Sequence, residues 1–232
     1  MPPELRQQLP TSVKVSGIYI VNATNLRSMP SHVKSGRYHH GDLRRELEEA
    51  ALALVAERGP RGFTMVETSR RAGVSVAAPY KHFADRDALL ASLAARSFRE
   101  QHRRFTAATA ASEDPAERIA AFAAAYVRFA AEEAALFDVA FCADVDKSSH
   151  PELTEAGQAL FDALMPITRR LAPSEEAAFD LLIRIAAAAH GLALLHRQNM
   201  FGTTPDTLAA TEARSARTAR DIVAGAMDRP TA

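Results

Sequence analysis

The side chains able to do chemistry in this 232-residue chain concentrate between Thr64 and Phe83. Thr64-Met65-Val66-Glu67 has the spacing of a capping box. The threonine hydroxyl accepts from the third amide of a helix, and the glutamate reaches back to the cap's own amide. Gly73-Val74-Ser75 follows, a sharp helix end and a fresh N-cap in three residues. A second short helix is then expected from Val76 to Phe83, with Tyr80, Lys81 and His82 near its end. Two short helices joined by a glycine turn mark a helix-turn-helix, whose second helix can lie in a DNA major groove. Ser75, Lys81 and His82 are of types that contact phosphate, and the amides near Thr64 sit where a helix N-terminus attracts one. Val76, Ala77, Ala78 and Pro79 cannot make the paired hydrogen bonds that Arg, Asn or Gln make to base edges, but they can pack on thymine methyls. The plainer alternative is a helical corner in a bundle, with Tyr80 packed on the first helix and His82 a satisfied structural histidine.

Other chemistry finds less support. The chain has no Gly-x-Ser-x-Gly, no His-Glu-x-x-His and no phosphate-binding glycine loop, so an enzyme is the weaker class and no cofactor is expected. His190 and His196 are six apart and do not share a helical face, so no metal site is expected. Cys142, the single cysteine, excludes an internal disulfide and fits a reducing compartment. The aromatic set Phe105, Phe122, Tyr126, Phe129, Phe137, Phe141 and Phe161 fits a core or a ligand cavity.

The supporting elements are expected to be helical throughout. Glycine is low at 10, tryptophan is absent and hydrophobic residues make up 47%. Formal charge sums to zero, yet residues 34–104 carry a net +5 and residues 105–232 a net −7. A basic module beside an acidic body implies that one end meets a polyanion. No apolar run is read as a membrane span and no secretory signal is read at the amino terminus, so a cytoplasmic protein without a membrane partner is expected. Residues 1–36 hold four prolines and no sustained helical period, and are read as a disordered extension in which Met29 could serve as an alternative start.

Order should begin near Gly41, with Asp42 as N-cap and Leu43, Leu47, Ala50, Ala51, Leu54 and Val55 on one face of a helix. Gly59-Pro60 ends it. Leu47, Phe63, Val66 and Phe83 would close a small core, with Val74 plugging the angle of the turn. Asp85-Arg86-Asp87 opens a long helix. Further helices are expected from Pro115 to about 133, through Leu136 to Phe141, from about 152 to 171 with a bend at Pro166, from Ser174 to about 199, and from about 206 to 227. The fold class is all-α: a three-helix helix-turn-helix domain over 37–100 and a larger helical bundle over 101–232.

Tyr38-His39-His40-Gly41-Asp42-Leu43-Arg44, Glu57-Arg58-Gly59, Arg71-Ala72-Gly73-Val74-Ser75, Pro79-Tyr80-Lys81-His82-Phe83 and Asp87-Ala88-Leu89-Leu90, in this order and spacing, resemble the DNA-binding domain of TetR-family transcriptional regulators. Tyr126 to Ala130, Ala135-Leu136-Phe137 and His190-Gly191-Leu192-Ala193 resemble the effector domain of one TetR subgroup, which commonly has a tryptophan before that glycine. The resemblance implies a homodimeric, ligand-responsive repressor on a near-palindromic double-stranded operator. The DNA-contacting set would be Arg37, Thr64, Ser75, Val76, Ala77, Pro79, Tyr80, Lys81 and His82. A small, mostly apolar effector would sit among Phe105, Phe122, Tyr126, Phe129, Phe137, Phe141, Met165 and His190, and dimer contacts would come from 174–199 and 206–227. A helical interaction module without DNA binding is the alternative.

Overall fold

The structure is a computed structural model that describes residues 40–142, 145, 146, 149–200 and 207–227. The expected extension over 1–36, Arg37 and the side chain of Cys142 lie outside the described residues. Eight α-helices and no strand occur among them: α1 (His40–Arg58), α2 (Met65–Arg71), α3 (Arg86–Thr109), α4 (Pro115–Glu132), α5 (Ala134–Cys142), α6 (Pro151–Arg169), α7 (Glu175–Arg197) and α8 (Leu208–Met227). The helix caps are the expected ones in most places. Asp85 accepts from the Ala88 amide at 2.8 Å and Ser174 from the Ala177 amide at 3.2 Å. The helix α1 departs from expectation at its start: it begins at His40, so Asp42 lies inside it and not at its cap.

Two cores organise the packing. The first joins Leu47, Leu54, Phe63, Met65, Phe83 and Leu89 to Leu93 of α3, and it also takes in Val139 and Ala140 of α5 and Leu153 and Ala156 of α6. The helix α3 runs through both cores, with Phe98 in the first and Phe105 in the second. Met65 fills the position expected of Val66, which is only half-buried. Val74 packs against this core as expected. The second core holds Phe105, Phe122, Tyr126, Phe129 and Phe137 together with Leu164, Met165, Leu181, Leu182 and Ile185. Here α4 packs mainly on α8 and α7, while α6 lies along α3.

By length and composition alone α7, at 23 residues, is long and apolar enough to cross a membrane. In the fold it instead packs on α4, α6 and α8. Its remaining face leaves Phe179 and Ile183, one helical turn apart, about half exposed.

Candidate nucleic-acid interface and aromatic interior

The turn between α2 and the next segment is built as the spacing predicts. Thr64 accepts from the Glu67 amide at 3.2 Å, and the Thr64 amide donates to Glu67 Oε2 at 2.9 Å. At the other end of α2, Gly73 adopts φ +69°, a region costly for any residue with a Cβ. Its amide donates to the Arg70 carbonyl at 3.2 Å, and the Val74 amide donates to the Ser69 carbonyl at 3.0 Å. These two bonds form a Schellman motif, which satisfies the last helical carbonyls while reversing the chain. The helix α2 is stapled to α1 by Arg58–Glu67 and Arg71–Glu57, both at 2.6 Å. Those two arginines are thus already paired.

The segment that follows is not the α-helix expected over Val76–Phe83. It is one 3₁₀ turn, Pro79–Lys81, preceded by a turn in which the Ala78 amide donates to the Ser75 carbonyl at 3.0 Å. Proline explains the difference. With Ser75 as cap, the amide of residue 79 would close the first α-helical bond, and Pro79 has no N–H to give. An i→i−3 bond from Ala78 takes its place. The ring of Pro79 is buried, so its expected place on the DNA-facing surface is not where the structure puts it. Ser75, Val76, Ala77, Tyr80 and Lys81 are exposed, Val76 by 49% and Tyr80 by 53%.

Two other sequence candidates are engaged within the protein. At Thr64 the hydroxyl is taken up by the capping box. The Glu67 carboxyl beside it is held below its usual value by the Arg58 guanidinium and by the Thr64 hydroxyl. A phosphate at this helix end would meet that carboxylate. His82 is half-buried and lines a cavity of about 220 Å³ with Arg44, Phe83, Ser92, His150 and Glu152. Arg44 links the same place to the body: it donates to Ser92 Oγ at 2.9 Å and to Glu152 Oε2 at 3.3 Å, and its guanidinium lies 5.3 Å from the Phe83 ring centroid.

The body gathers the second candidate set. Phe105 lies against Phe122, Tyr126 and Phe129, with ring centroids 5.1, 5.8 and 6.4 Å away. Tyr126, Phe137 and Phe141 surround His190, whose ring stacks on Phe137 at 5.3 Å. Tyr126 Oη and His190 Nδ1 are 2.9 Å apart. Burial raises the Tyr126 hydroxyl above its ordinary pKa and lowers that of His190, so the pair is neutral at pH 7. Phe105, Phe122, Tyr126, Phe129, Phe137 and Met165 are buried, whereas Phe141 is 42% exposed. Phe161 stands apart from this group, packed on Phe179.

Gln101 belongs with this group, although sequence reasoning missed it. It is 1% exposed and its Nε2 donates to Ser97 Oγ at 3.1 Å. Its Oε1 is buried without a hydrogen-bond partner among the described residues. The signal was available: Phe98, Gln101 and Phe105 recur at three and four residues on one face of α3. Four arginines of the body are engaged elsewhere. Arg128 pairs with Glu212, Arg169 with Glu175, and Arg197 with Asp138. Arg104 bridges Glu100, Glu132 and Glu133.

Comparison with known proteins agrees with this geometry. Residues 47–93 match the family described as bacterial regulatory proteins, tetR family, and residues 119–226 match the tetracyclin repressor-like C-terminal domain. The HTH-type transcriptional regulator BetI of Brucella anthropi is 36% identical over 90 residues, which are 39% of this chain and 45% of that relative. The chain thus spans about half the length of the curated relatives it matches. A protein of unknown function from Rhodococcus sp. RHA1 is 30% identical, with a TM-score of 0.68 over 82% of this chain and 98% of that one. The fold is shared with the TetR family transcriptional regulator PfmR of Thermus thermophilus, 21% identical, with a TM-score of 0.51 over 80% of this chain and all of that one. A capped helix, a Schellman turn and an exposed reading segment, joined to an all-helical body and matched at both ends, place this chain in the TetR family of transcriptional regulators.

Proposed function

We propose that the chain is an operator-binding repressor that acts as a homodimer in the cytoplasm and releases DNA when a small apolar molecule enters the body. The observation that carries the reading is the exposed edge Ser75, Val76, Ala77, Tyr80 and Lys81, held outward by the Gly73 turn while Pro79 and Phe83 anchor it from beneath. Lys81 and Tyr80 suit the phosphate backbone, and Val76 and Ala77 suit the floor of a major groove. The half-exposed Phe179 and Ile183 of α7 suit burial against a second copy, because a helix with apolar residues on most sides needs a cover.

Selection from a random DNA library followed by footprinting tests the reading. A homodimer should protect two half-sites in inverted repeat, about one helical turn or a multiple of it apart. Recovery of no specific DNA would instead support a helical interaction module. A single protected half-site occupied by a monomer would refute the dimeric reading. Loss of affinity on adding the effector would establish ligand response, and an increase in affinity would overturn relief of repression.

A further inference from the structure

Among the described residues, α3 carries one buried polar side-chain atom that its surroundings leave unanswered. Gln101 is 1% exposed, and its carbonyl oxygen has no partner among the described residues while its amide nitrogen is anchored on Ser97. A buried acceptor in this state is costly, and a native structure keeps one only for a reason.

Its position on α3 suggests what that reason is. Three residues earlier Phe98 meets Phe141, and four residues later Phe105 stacks on Tyr126. Tyr126 and Phe141 both meet His190. Gln101 therefore sits on the helix face between the two ends of an aromatic arc that runs from Phe98 through Phe141, His190 and Tyr126 to Phe105. The arc is open to solvent at Phe141, which is 42% exposed, and in part at His190. Beside Phe98, α6 presents Gly157, where an added Cβ would still be 4.0 Å from the ring. Glycine at this point leaves α3 and α6 without a side chain to wedge between them.

We propose that the Gln101 carbonyl is the polar anchor of a ligand site within this arc. The ligand is a neutral, largely apolar, ring-bearing molecule with one N–H or O–H donor. An acceptor left without a donor selects a donor, not a second acceptor. Aromatic faces select a flat apolar body. An anion is disfavoured, because Arg104, Arg128 and Arg197 are held in ion pairs with carboxylates and do not replace its lost hydration. This deepens the effector-domain reading of the body and rests on it.

Indole and 1-methylindole make a matched pair of probes, alike in ring and differing in the donor. The chain has no tryptophan, so probe fluorescence reports binding to the full-length protein directly and without DNA. Wild type should bind indole about tenfold more tightly than 1-methylindole, the effect of one hydrogen bond to a buried acceptor. Gln101→Leu should abolish the preference while still binding 1-methylindole, and it should melt no lower than wild type because the orphaned oxygen is gone. If Gln101→Leu does not fold, Gln101→Met carries the same test. Equal affinity of wild type for the two probes, no binding of indole, or a preference that survives both substitutions would overturn the proposal. DNA selection on the same preparation keeps the two readings apart: a protein that binds its operator and ignores indole sinks this site alone.

Discussion

The reading edge and the aromatic interior put apolar side chains to opposite uses. Around the Gly73 turn, Val76 and Tyr80 stand about half in solvent, above the buried Pro79 and Phe83. In the body, Phe105, Phe122 and Phe129 are closed on one another, and the polar atoms among them are few: the Tyr126–His190 pair and Gln101. The exposed apolar edge is the surface that the proposed DNA contact would use. An orphaned acceptor in an apolar interior means contact with something that comes in. The difference teaches that the two proposed contacts rest on opposite signals, exposure at the edge and unsatisfied polarity in the interior.

The comparison predicts a separation of effects: stability from the interior, affinity from the edge. The largest expected change is Phe105→Ala, which leaves a cavity among three rings and should cost about 3–5 kcal/mol of stability. Urea unfolding measures it, and operator affinity below the melting range should be unchanged. Lys81→Ala should do the reverse. It should weaken binding to all DNA sequences alike and lower the slope of log affinity against log salt by about one, with no shift in melting temperature. A change in base preference with the slope intact would move Lys81 from phosphate to base contact.

Smaller effects sharpen the boundary. Thr64→Ala removes the capping box and should cost about 1 kcal/mol of stability, readable as a lower denaturant midpoint. Replacing operator thymines one at a time with deoxyuridine removes a methyl and keeps every hydrogen bond. At the base under Val76 this should cost about 0.8 kcal/mol, roughly fourfold in affinity, and at flanking bases nothing. The smallest effect concerns Glu100. Hydrogen bonding from Arg103, and then from Arg104, lowers its carboxyl to about 2. A carboxyl depressed by folding contributes stability above its unfolded pKa and loses it as pH falls through the folded one. Acid titration between about pH 4.5 and 2 should therefore show a slightly shallower loss of stability in Glu100→Gln than in wild type.

Local chemistry made much of this legible from the sequence. Thr64 and Glu67 announced their capping box, Gly73 its reversal, Asp85 and Ser174 their caps, because each acts on backbone groups only three or four residues away. The periodicity of Leu47, Ala51 and Leu54, and of Phe122, Tyr126 and Phe129, marked faces that the fold does bury. The sequence even held the reason why the recognition segment winds as 3₁₀, since Pro79 cannot supply the first helical amide. Only the weighing of that loss was missed.

The tertiary structure decided the rest, because the deciding partners lie far away along the chain. The cavity that takes up His82 beside His150 and the link from Arg44 to Glu152 both depend on where α6 meets α1 and α3. The meeting of His190 with Tyr126 spans 64 residues. For Gln101 the sequence determined the face of α3 on which it lies. Whether its carbonyl found a partner there was a question of three-dimensional packing, since a hydrogen bond depends on what stands within about 3 Å and not on which residues are neighbours in the chain.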